Sequence, residues 1–432
     1  MASYQKEHSE SGMIGGRYAD LKRRGGRAEY AFDPTKDLGG RPPVFYVPNK
    51  LVTTVENANI VHRLLEEWHG KCGEPEPLLE YDRSLVVFTV EGDSLHIATA
   101  IKQAAAKLPD VPADLAVGPL HVLTPAPQPR IGPGDDPVPA SKQNKAANGP
   151  EVKPQAPIAV IDTGVWETPA NNLVATSPES PTAVESVDVD PADGFVDYYG
   201  TGHGGFIAGV VENNAPGAKV IAHNAFGPNG LTEATVINEV DKALQKNDLI
   251  VLNLSLGSYE KDDEGCDRIE LVALRNAMRR WKRDFPNALI VAAAGNDSTS
   301  HPFFPAGFAG EEEFAEMVVS VGALSKPADE VGVHTSAATF SNFGPWVTAW
   351  APGEKIVSEY PDDLKFAYVD ASGTRSGSAP FADGLAYWSG TSFAAPFVAA
   401  EIIREMREGE SPRDTWKRIR GASPFVIFWP SW

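Results

Sequence analysis

The stretch Ile158-Ala159-Val160-Ile161-Asp162-Thr163-Gly164 sets the fold that the sequence predicts. Its four successive apolar residues do not alternate with polar ones, which is typical of a strand buried on both faces of a parallel sheet. The strand ends on a carboxylate. Because reactive groups gather just beyond the carboxyl ends of the strands in open parallel sheets, Asp162 is a candidate site residue.

Further apolar runs follow along the chain, and helical stretches separate several of them. The runs cover residues 220–222, 249–254, 289–293 and 318–321, and helices are predicted over 231–246 and 267–283. Strands that alternate with helices form a mostly parallel, doubly wound sheet flanked by helices. The sequence therefore predicts an α/β domain over residues 156–432.

Three other polar residues stand where this fold collects its chemistry. Asn296 follows the run at 289–293, His203 lies in GTGHGG at 200–205, and Ser392 lies in SGTSFAAP at 389–396. A serine hydroxyl is a weak nucleophile until an imidazole can take its proton, and that imidazole needs a carboxylate to fix its tautomer. The chain contains all three groups.

The motifs resemble those of the subtilisin-like serine peptidases, or subtilases, in the order Asp, His, Ser. The resemblance covers roughly residues 157–422 and includes AAGN at 293–296. Lesser matches are LSLG at 254–257, FSNFG at 340–344 and APG at 351–353. The resemblance implies a subtilisin-like fold and hydrolysis of peptide bonds through an acyl-enzyme.

The resemblance also assigns the site residues. Ser392 is the expected nucleophile, His203 its general base, and Asp162 the carboxylate that orients the imidazole. Asn296 is expected to stabilise the oxyanion together with the backbone N–H of Ser392.

Two walls of small residues are expected to bind the substrate backbone. The resemblance places them at Leu256, Gly257 and Ser258 and at Ala293, Ala294 and Gly295. The pocket between them is expected to be open, with a floor within residues 301–306.

The chain departs from the family pattern in two places. Gly205 and Phe206 stand where members usually have Thr and a second His, so the packing beside the imidazole is expected to differ. The calcium-binding loop of many secreted members is not recognisable after Gly209. No cofactor and no metal site is predicted, because the remaining histidines show no zinc-ligand spacing.

A small α+β domain is predicted ahead of the peptidase domain, over residues 43–124. Its order of strand, helix, strand, helix, strand and its position resemble the propeptide of the family, which plugs the cleft until it is cleaved. A recognition domain that is retained is the alternative. Residues 1–42 are predicted to be a disordered tail, and the Pro-rich residues 125–155 an extended linker within which cleavage is expected.

Composition narrows the partners and the compartment. The 432 residues are 42% hydrophobic and carry a net charge of −20, which disfavours nucleic acid and anionic membranes as partners. Only two cysteines occur, and the first residues lack the pattern of a secretory signal. We therefore expect a cytoplasmic protein whose partners are a polypeptide substrate and a possible regulatory protein.

Other interpretations of single motifs fit less well. An aspartic peptidase needs two such motifs to supply its pair of carboxylates, and this chain has one DTG motif. The GxGxxG pattern at 200–205 lacks the acidic residue that binds a ribose, since His223 stands there. Asp93 or Ser94 is expected to cap a helix instead of forming an esterase motif. The remaining alternative is a silent or partner-activated peptidase fold that acts as a binding or regulatory module.

Overall fold

A computed structural model describes a large part of the chain. The described residues are 44–69, 72–112, 114–125, 137–145, 148–153, 155–165, 175–176, 202–225, 231–247, 249–260, 269–325, 336–362, 367–369, 375–377 and 381–420. The predicted tail at 1–42 and Cys266 lie outside these residues.

The helices and strands of the described residues are numbered in chain order. The α-helices are α1 (Val55–His69), α2 (Ser94–Ala105), α3 (His203–Asn214), α4 (Glu233–Lys246), α5 (Val272–Asp284), α6 (Thr391–Glu405) and α7 (Pro412–Ile419). Short 3₁₀ helices cover Lys142–Asn144 and Ala306–Gly310. The strands up to the first catalytic candidate are β1 (Tyr46–Thr54), β2 (Glu76–Pro77), β3 (Leu85–Thr89), β4 (Val117–His121), β5 (Thr124–Pro125), β6 (Val138–Pro139) and β7 (Ile158–Asp162). Those that follow are β8 (Ala175–Thr176), β9 (Val220–Asn224), β10 (Val251–Leu254), β11 (Leu256–Tyr259), β12 (Leu289–Ala293), β13 (Phe303–Phe304), β14 (Val318–Leu324), β15 (Ala349–Pro352), β16 (Ile356–Glu359), β17 (Ala367–Val369), β18 (Arg375–Gly377) and β19 (Leu385–Trp388).

The chain divides into two compact units, which are described separately. The first contains Met1–Thr124, Phe226–Lys242 and Ser258–Pro286, and the second contains Pro125–Ala225, Ala243–Gly257 and Asn287–Trp432. These units cut across the predicted domain boundaries, because α5 and most of α4 group with the N-terminal segment. The assignment of domains by function stays a prediction.

The second unit is built on a seven-stranded sheet in the order β15-β14-β12-β10-β7-β9-β8. Neighbouring strands run parallel; Val251 of β10, for example, faces Ile158 of β7 and Leu289 of β12. Every residue of β7, β10, β12 and β14 is buried, which explains their continuous apolar runs. The helix α6 packs on this sheet. The predicted doubly wound, mostly parallel sheet is confirmed.

The first unit contains a four-stranded antiparallel sheet in the order β2-β3-β1-β4. Helices α1 and α2 bury apolar residues against it, Leu64 and Ile101 among them. The strands and helices predicted between residues 43 and 124 are thus present. Asp93 is the N-cap of α2, and its carboxylate accepts hydrogen bonds from the backbone N–H groups of Leu95 and His96. The helix-cap interpretation of this motif is therefore confirmed.

Part of the predicted linker forms a strand within the second unit. The strand β6 pairs antiparallel with β19, in a three-stranded sheet that also contains β16. The proline-rich composition predicts the extended conformation but gives no sign of this pairing. Among the described residues, no helix is both long and apolar enough to cross a bilayer.

Candidate active site

Asp162 and His203 form a buried pair in the second unit. The Oδ1 atom of Asp162, the last residue of β7, lies 2.8 Å from His203 Nδ1, and both side chains are almost wholly buried. The same carboxylate oxygen accepts a 2.8 Å hydrogen bond from the Thr163 backbone N–H. Because a carboxylate can only accept, this contact places the proton on Nδ1 and leaves Nε2 of a neutral imidazole with its lone pair.

The start of α3 lies directly against the loop that follows β7. The backbone N–H of Gly204 donates to Thr163 Oγ1 over 3.0 Å. A Cβ at Gly204 would overlap the carbonyl oxygen of Gly164, so only glycine permits this approach. The glycines and the threonine of the DTG and GHG motifs thus bring the carboxylate and the imidazole together.

Aromatic side chains surround the imidazole of His203. Trp388 lies edge to face with it at a centroid distance of 5.5 Å, and Phe393 lies at 5.4 Å. Phe206 packs on both of these rings, at 5.6 and 4.6 Å. The residue that departs from the family pattern is therefore part of the packing beside the imidazole, as expected.

Ser392 is the second residue of α6 and is fully buried. Its Oγ atom donates to the carbonyl oxygen of Ser255 over 3.2 Å, and Ser255 Oγ donates to the carbonyl oxygen of Ser392 over 2.8 Å. Among the described residues, His203 Nε2 is buried without a hydrogen-bond partner. In this structure the serine hydroxyl therefore rests on Ser255 and not on the imidazole.

The side chain of Asn296 is oriented by the residue that precedes Ser392. Asn296 Oδ1 accepts hydrogen bonds from the Thr391 backbone N–H (2.8 Å) and from Thr391 Oγ1 (2.9 Å). Because the backbone N–H can only donate, the oxygen of the amide must face Thr391 and its NH₂ group must point away. Thr391 Oγ1 also accepts from the Gly295 backbone N–H over 3.0 Å.

Asn342 holds the loop that carries Asn296. Its Nδ2 donates to the carbonyl oxygen of Ala294 (2.8 Å), and its Oδ1 accepts from the Asp297 backbone N–H (2.9 Å). The FSNFG motif is thus a support for this loop. Three residues that hold these groups were not predicted, although each belongs to a recognised motif: Thr163 to DTG, Thr391 to SGTSFAAP and Asn342 to FSNFG.

The residues predicted to form the substrate walls lie on β11 and at the end of β12. Leu256, Gly257 and Ser258 lie in β11, while Ala293 ends β12 and is followed by Ala294 and Gly295; all four larger residues are buried.

Phe303 of β13 packs against both walls. A Cβ at Gly257 would lie 2.6 Å from Phe303 Cε1, and one at Gly295 would lie 3.1 Å from Phe303 Cγ. The segment predicted to form the floor of the pocket thus places a phenyl ring against both glycines, where the small residues were expected to leave open space. Small wall residues indicate room for a side chain but do not show whether a substrate or the protein itself fills it.

Comparison with known proteins agrees with this geometry. The family model described as "Subtilase family" matches residues 154–422. A thermophilic serine proteinase from Bacillus sp. (strain AK1) is 32% identical over 250 residues, which are 56% of this chain and 50% of that protein. Subtilisin BL from Lederbergia lenta is 28% identical over 240 residues, covering 54% of this chain and 73% of that protein. The chain thus spans half the length of the Bacillus relative.

A solved structure shows the same fold. Fervidolysin from Fervidobacterium pennivorans, described as a keratinolytic enzyme related to subtilisin, matches with a TM-score of 0.51 and 18% identity over 85% of this chain and 56% of that one. Since the family model covers more than half of the 432 residues and the fold agrees with it, this chain belongs to the subtilase family.

Proposed function

We propose that this protein is a serine endopeptidase in which Ser392 attacks the peptide carbonyl, His203 takes the proton and Asp162 holds the imidazole. The observation that carries the proposal is the 2.8 Å contact between His203 Nδ1 and Asp162 Oδ1, which leaves Nε2 as a base. For this step the Ser392 hydroxyl must leave the Ser255 carbonyl and turn toward that nitrogen. The resulting acyl-enzyme is then hydrolysed by water through the same imidazole.

The oxyanion is stabilised by the amide of Asn296 and by the backbone N–H of Ser392. The two hydrogen bonds from Thr391 to Asn296 Oδ1 support this role, since they aim the NH₂ group away from Thr391 before substrate arrives. The N–H of Ser392 lies in the first turn of α6, where helix N–H groups have no intrahelical partner.

The substrate is a polypeptide with a small side chain before the scissile bond. In this proposal Gly257 and Gly295 form the walls of the pocket for that residue, and the ring of Phe303 fills the pocket between them. Gly, Ala or Ser fits such a site, whereas a large aliphatic or aromatic side chain would have to displace the ring.

The N-terminal domain restrains the enzyme in the manner of a propeptide. Hydrogen bonds within the first unit support this: the backbone N–H of His121 donates to Glu233 Oε2 (3.1 Å), and that of Leu123 donates to the carbonyl oxygen of Leu231 (2.7 Å). The domain is thus bound to residues that belong to the family-matched region. The scarcity of cysteine supports a cytoplasmic location.

Peptide hydrolysis by purified protein tests the proposal. The wild-type chain, Ser392→Ala and the control Ser336→Ala are compared, because Ser336 carries a surface hydroxyl paired with Ser325. We expect hydrolysis by wild type and by Ser336→Ala and its loss in Ser392→Ala. Equal hydrolysis by all three would exclude Ser392 as the nucleophile, and no hydrolysis by any would favour the silent or partner-activated alternative.

A further inference from the structure

Residues 138–145 and 148–152, here called the strap, contact other parts of the second unit at two separate places. These residues follow the N-terminal domain in the chain and were predicted to be part of an extended linker. The first contact is with β19: Val138 faces Tyr387 and Pro139 faces Ala386, and the backbone N–H of Ala140 donates to the carbonyl oxygen of Leu385 over 3.0 Å. The strap thus adds an edge strand to the sheet next to β19, the strand that ends four residues before Ser392.

The second contact is with the C-terminal end of α3, the helix that begins at His203. The backbone N–H of Gly149 donates to the carbonyl oxygen of Asn213, and that of Val152 donates to Pro216, each over 2.8 Å. The last carbonyls of a helix lack intrahelical donors, so Gly149 satisfies one of them. A Cβ at Gly149 would overlap the backbone of Asn214, which makes this a close approach that only glycine allows.

An ion pair joins the two contacts. Lys145 Nζ lies 2.5 Å from Glu359 Oε1 at the end of β16. Glu359 Oε2 in turn accepts from Asn213 Nδ2 in α3 (3.4 Å) and from Ser358 Oγ (3.1 Å). The single hydroxyl proton of Ser358 can instead go to the carbonyl oxygen of Phe206, which is closer at 2.8 Å. Lys145 is therefore linked through Glu359 to the C-terminal end of α3, and the neighbour of Glu359 contacts the first turn of that helix.

A second carboxylate, that of Glu212, lies within electrostatic range of Glu359 and Lys145. Burial raises the pKa of Glu212, and the negative charge of Glu359 raises it further, whereas the Gly217 N–H and Lys145 oppose the rise. Lys145 thus partly offsets the repulsion that Glu359 exerts on a charged Glu212.

We propose that the strap stays with the peptidase unit after the N-terminal domain is released and that it positions His203 and Ser392, with Lys145 as the positioning residue. One short segment braces α3, which begins at His203, and β19, which ends four residues before Ser392. Removal of the N-terminal domain by a cut before Val138 preserves this brace, whereas a cut after Val152 removes it. The catalytic part of the proposal rests on the proposed function, but the bracing does not.

Hydrogen–deuterium exchange tests the bracing independently of activity. The full chain carries Ser392→Ala, and Gly149→Ala or Lys145→Met is added to it. We expect the amides of Ala140, Gly149 and Val152, which donate to the carbonyls of Leu385, Asn213 and Pro216, to exchange about tenfold faster in both variants, because the strap then opens more often. The controls are Gly73→Ala, where an added Cβ has only one neighbour at 4.0 Å, and Lys142→Met, whose side chain is exposed. Unchanged exchange in both strap variants would overturn the proposal.

Kinetics and mass spectrometry of the active chain test the catalytic consequence. For Lys145→Met we expect kcat to fall about tenfold with KM unchanged, since displaced catalytic groups slow the chemical step more than binding. Lys145→Arg should restore most of kcat. The intact mass of the mature enzyme should correspond to an N-terminus that lies before Val138. Full kcat in Lys145→Met, or a mature chain that starts after Val152, would contradict the proposal. If the wild-type chain is inactive but exchange is faster in the strap variants, only the proposed function is refuted.

Discussion

Thr391 holds the side chain of Asn296, the residue proposed to stabilise the oxyanion. Its backbone N–H and hydroxyl both bind Asn296 Oδ1, and its hydroxyl also accepts from Gly295. In the proposed mechanism, the SGTSFAAP motif therefore supplies both the serine and the group that orients the amide of Asn296.

Replacing Asn296 by Leu should remove one oxyanion donor. We expect kcat to fall about 10²–10³-fold with little change in KM, which is the loss known for this donor in a member of the same family. Steady-state kinetics on one peptide measure it. An unchanged kcat would show that the amide of Asn296 does not face the reacting carbonyl.

Thr391→Val keeps the shape of the side chain but removes its hydroxyl. The amide of Asn296 then loses one of its two holding bonds, so kcat should fall by about tenfold while KM stays the same. Thr391→Ser restores the hydroxyl and is expected to restore kcat. If Ser and Val behave alike, the hydroxyl does not orient Asn296.

Phe303→Ala should widen the preference for the residue before the scissile bond. Removal of the ring leaves space between Gly257 and Gly295. Peptides with Leu or Phe at that position should therefore gain about tenfold to 10²-fold in kcat/KM, more than other peptides. Phe308→Ala is the matched control, because that ring is fully buried among Phe304 and Phe314. Each substitution costs about 3–5 kcal/mol of stability, so profiles are compared at low temperature. An equal shift in both variants would refute a specific role for Phe303.

At the scale of elements, the apolar runs predicted the strands of the large sheet well. The runs at 158–161, 289–293 and 318–321 are strands because both of their faces are buried, and such strands have a pattern that survives without tertiary information. The pairing of β6 with β19 could not be predicted, because two residues of an edge strand carry no periodicity. The position of Phe303 was missed for a related reason: it depends on how a short segment folds back.

The carboxylate of Asp93 caps α2 and is expected to stabilise the N-terminal domain. Asp93 accepts from Leu95 and His96 and also from the hydroxyl of Tyr46 over 2.7 Å. Asp93→Ala should therefore destabilise the domain by about 1 kcal/mol or somewhat more. In the Ser392→Ala background, urea unfolding measures this loss, and in the active chain the N-terminal domain should be released faster. Unchanged unfolding in Asp93→Ala would show that the cap contributes nothing.

At the scale of the whole molecule, acid stability depends on a carboxylate near the C-terminal helix. Glu410 accepts hydrogen bonds from Arg418 Nε (2.8 Å) and Nη2 (2.7 Å). This pairing lowers the pKa of Glu410 from 4.5 to about 2. Because the folded state holds the proton less tightly than the unfolded chain, the stabilisation is full above the unfolded pKa and is lost as the pH falls through 4.5 toward 2.

Urea unfolding of the Ser392→Ala chain with and without Glu410→Gln tests this dependence. We expect the variant to be less stable than its parent at pH 7, and the difference to shrink between pH 4.5 and pH 2. A difference that is independent of pH would mean that the Glu410 charge does not contribute.

The most direct measurement of the central claim is the intact mass and peptide map of the protein after reaction with a fluorophosphonate, with Ser392→Ala alongside. This reagent forms a bond only to a serine hydroxyl that a neighbouring base activates. We predict one adduct, on Ser392, in the wild-type chain, and no adduct in the mutant. An adduct on another serine, or an unmodified Ser392 on a chain from which the N-terminal domain has been released, would contradict the account.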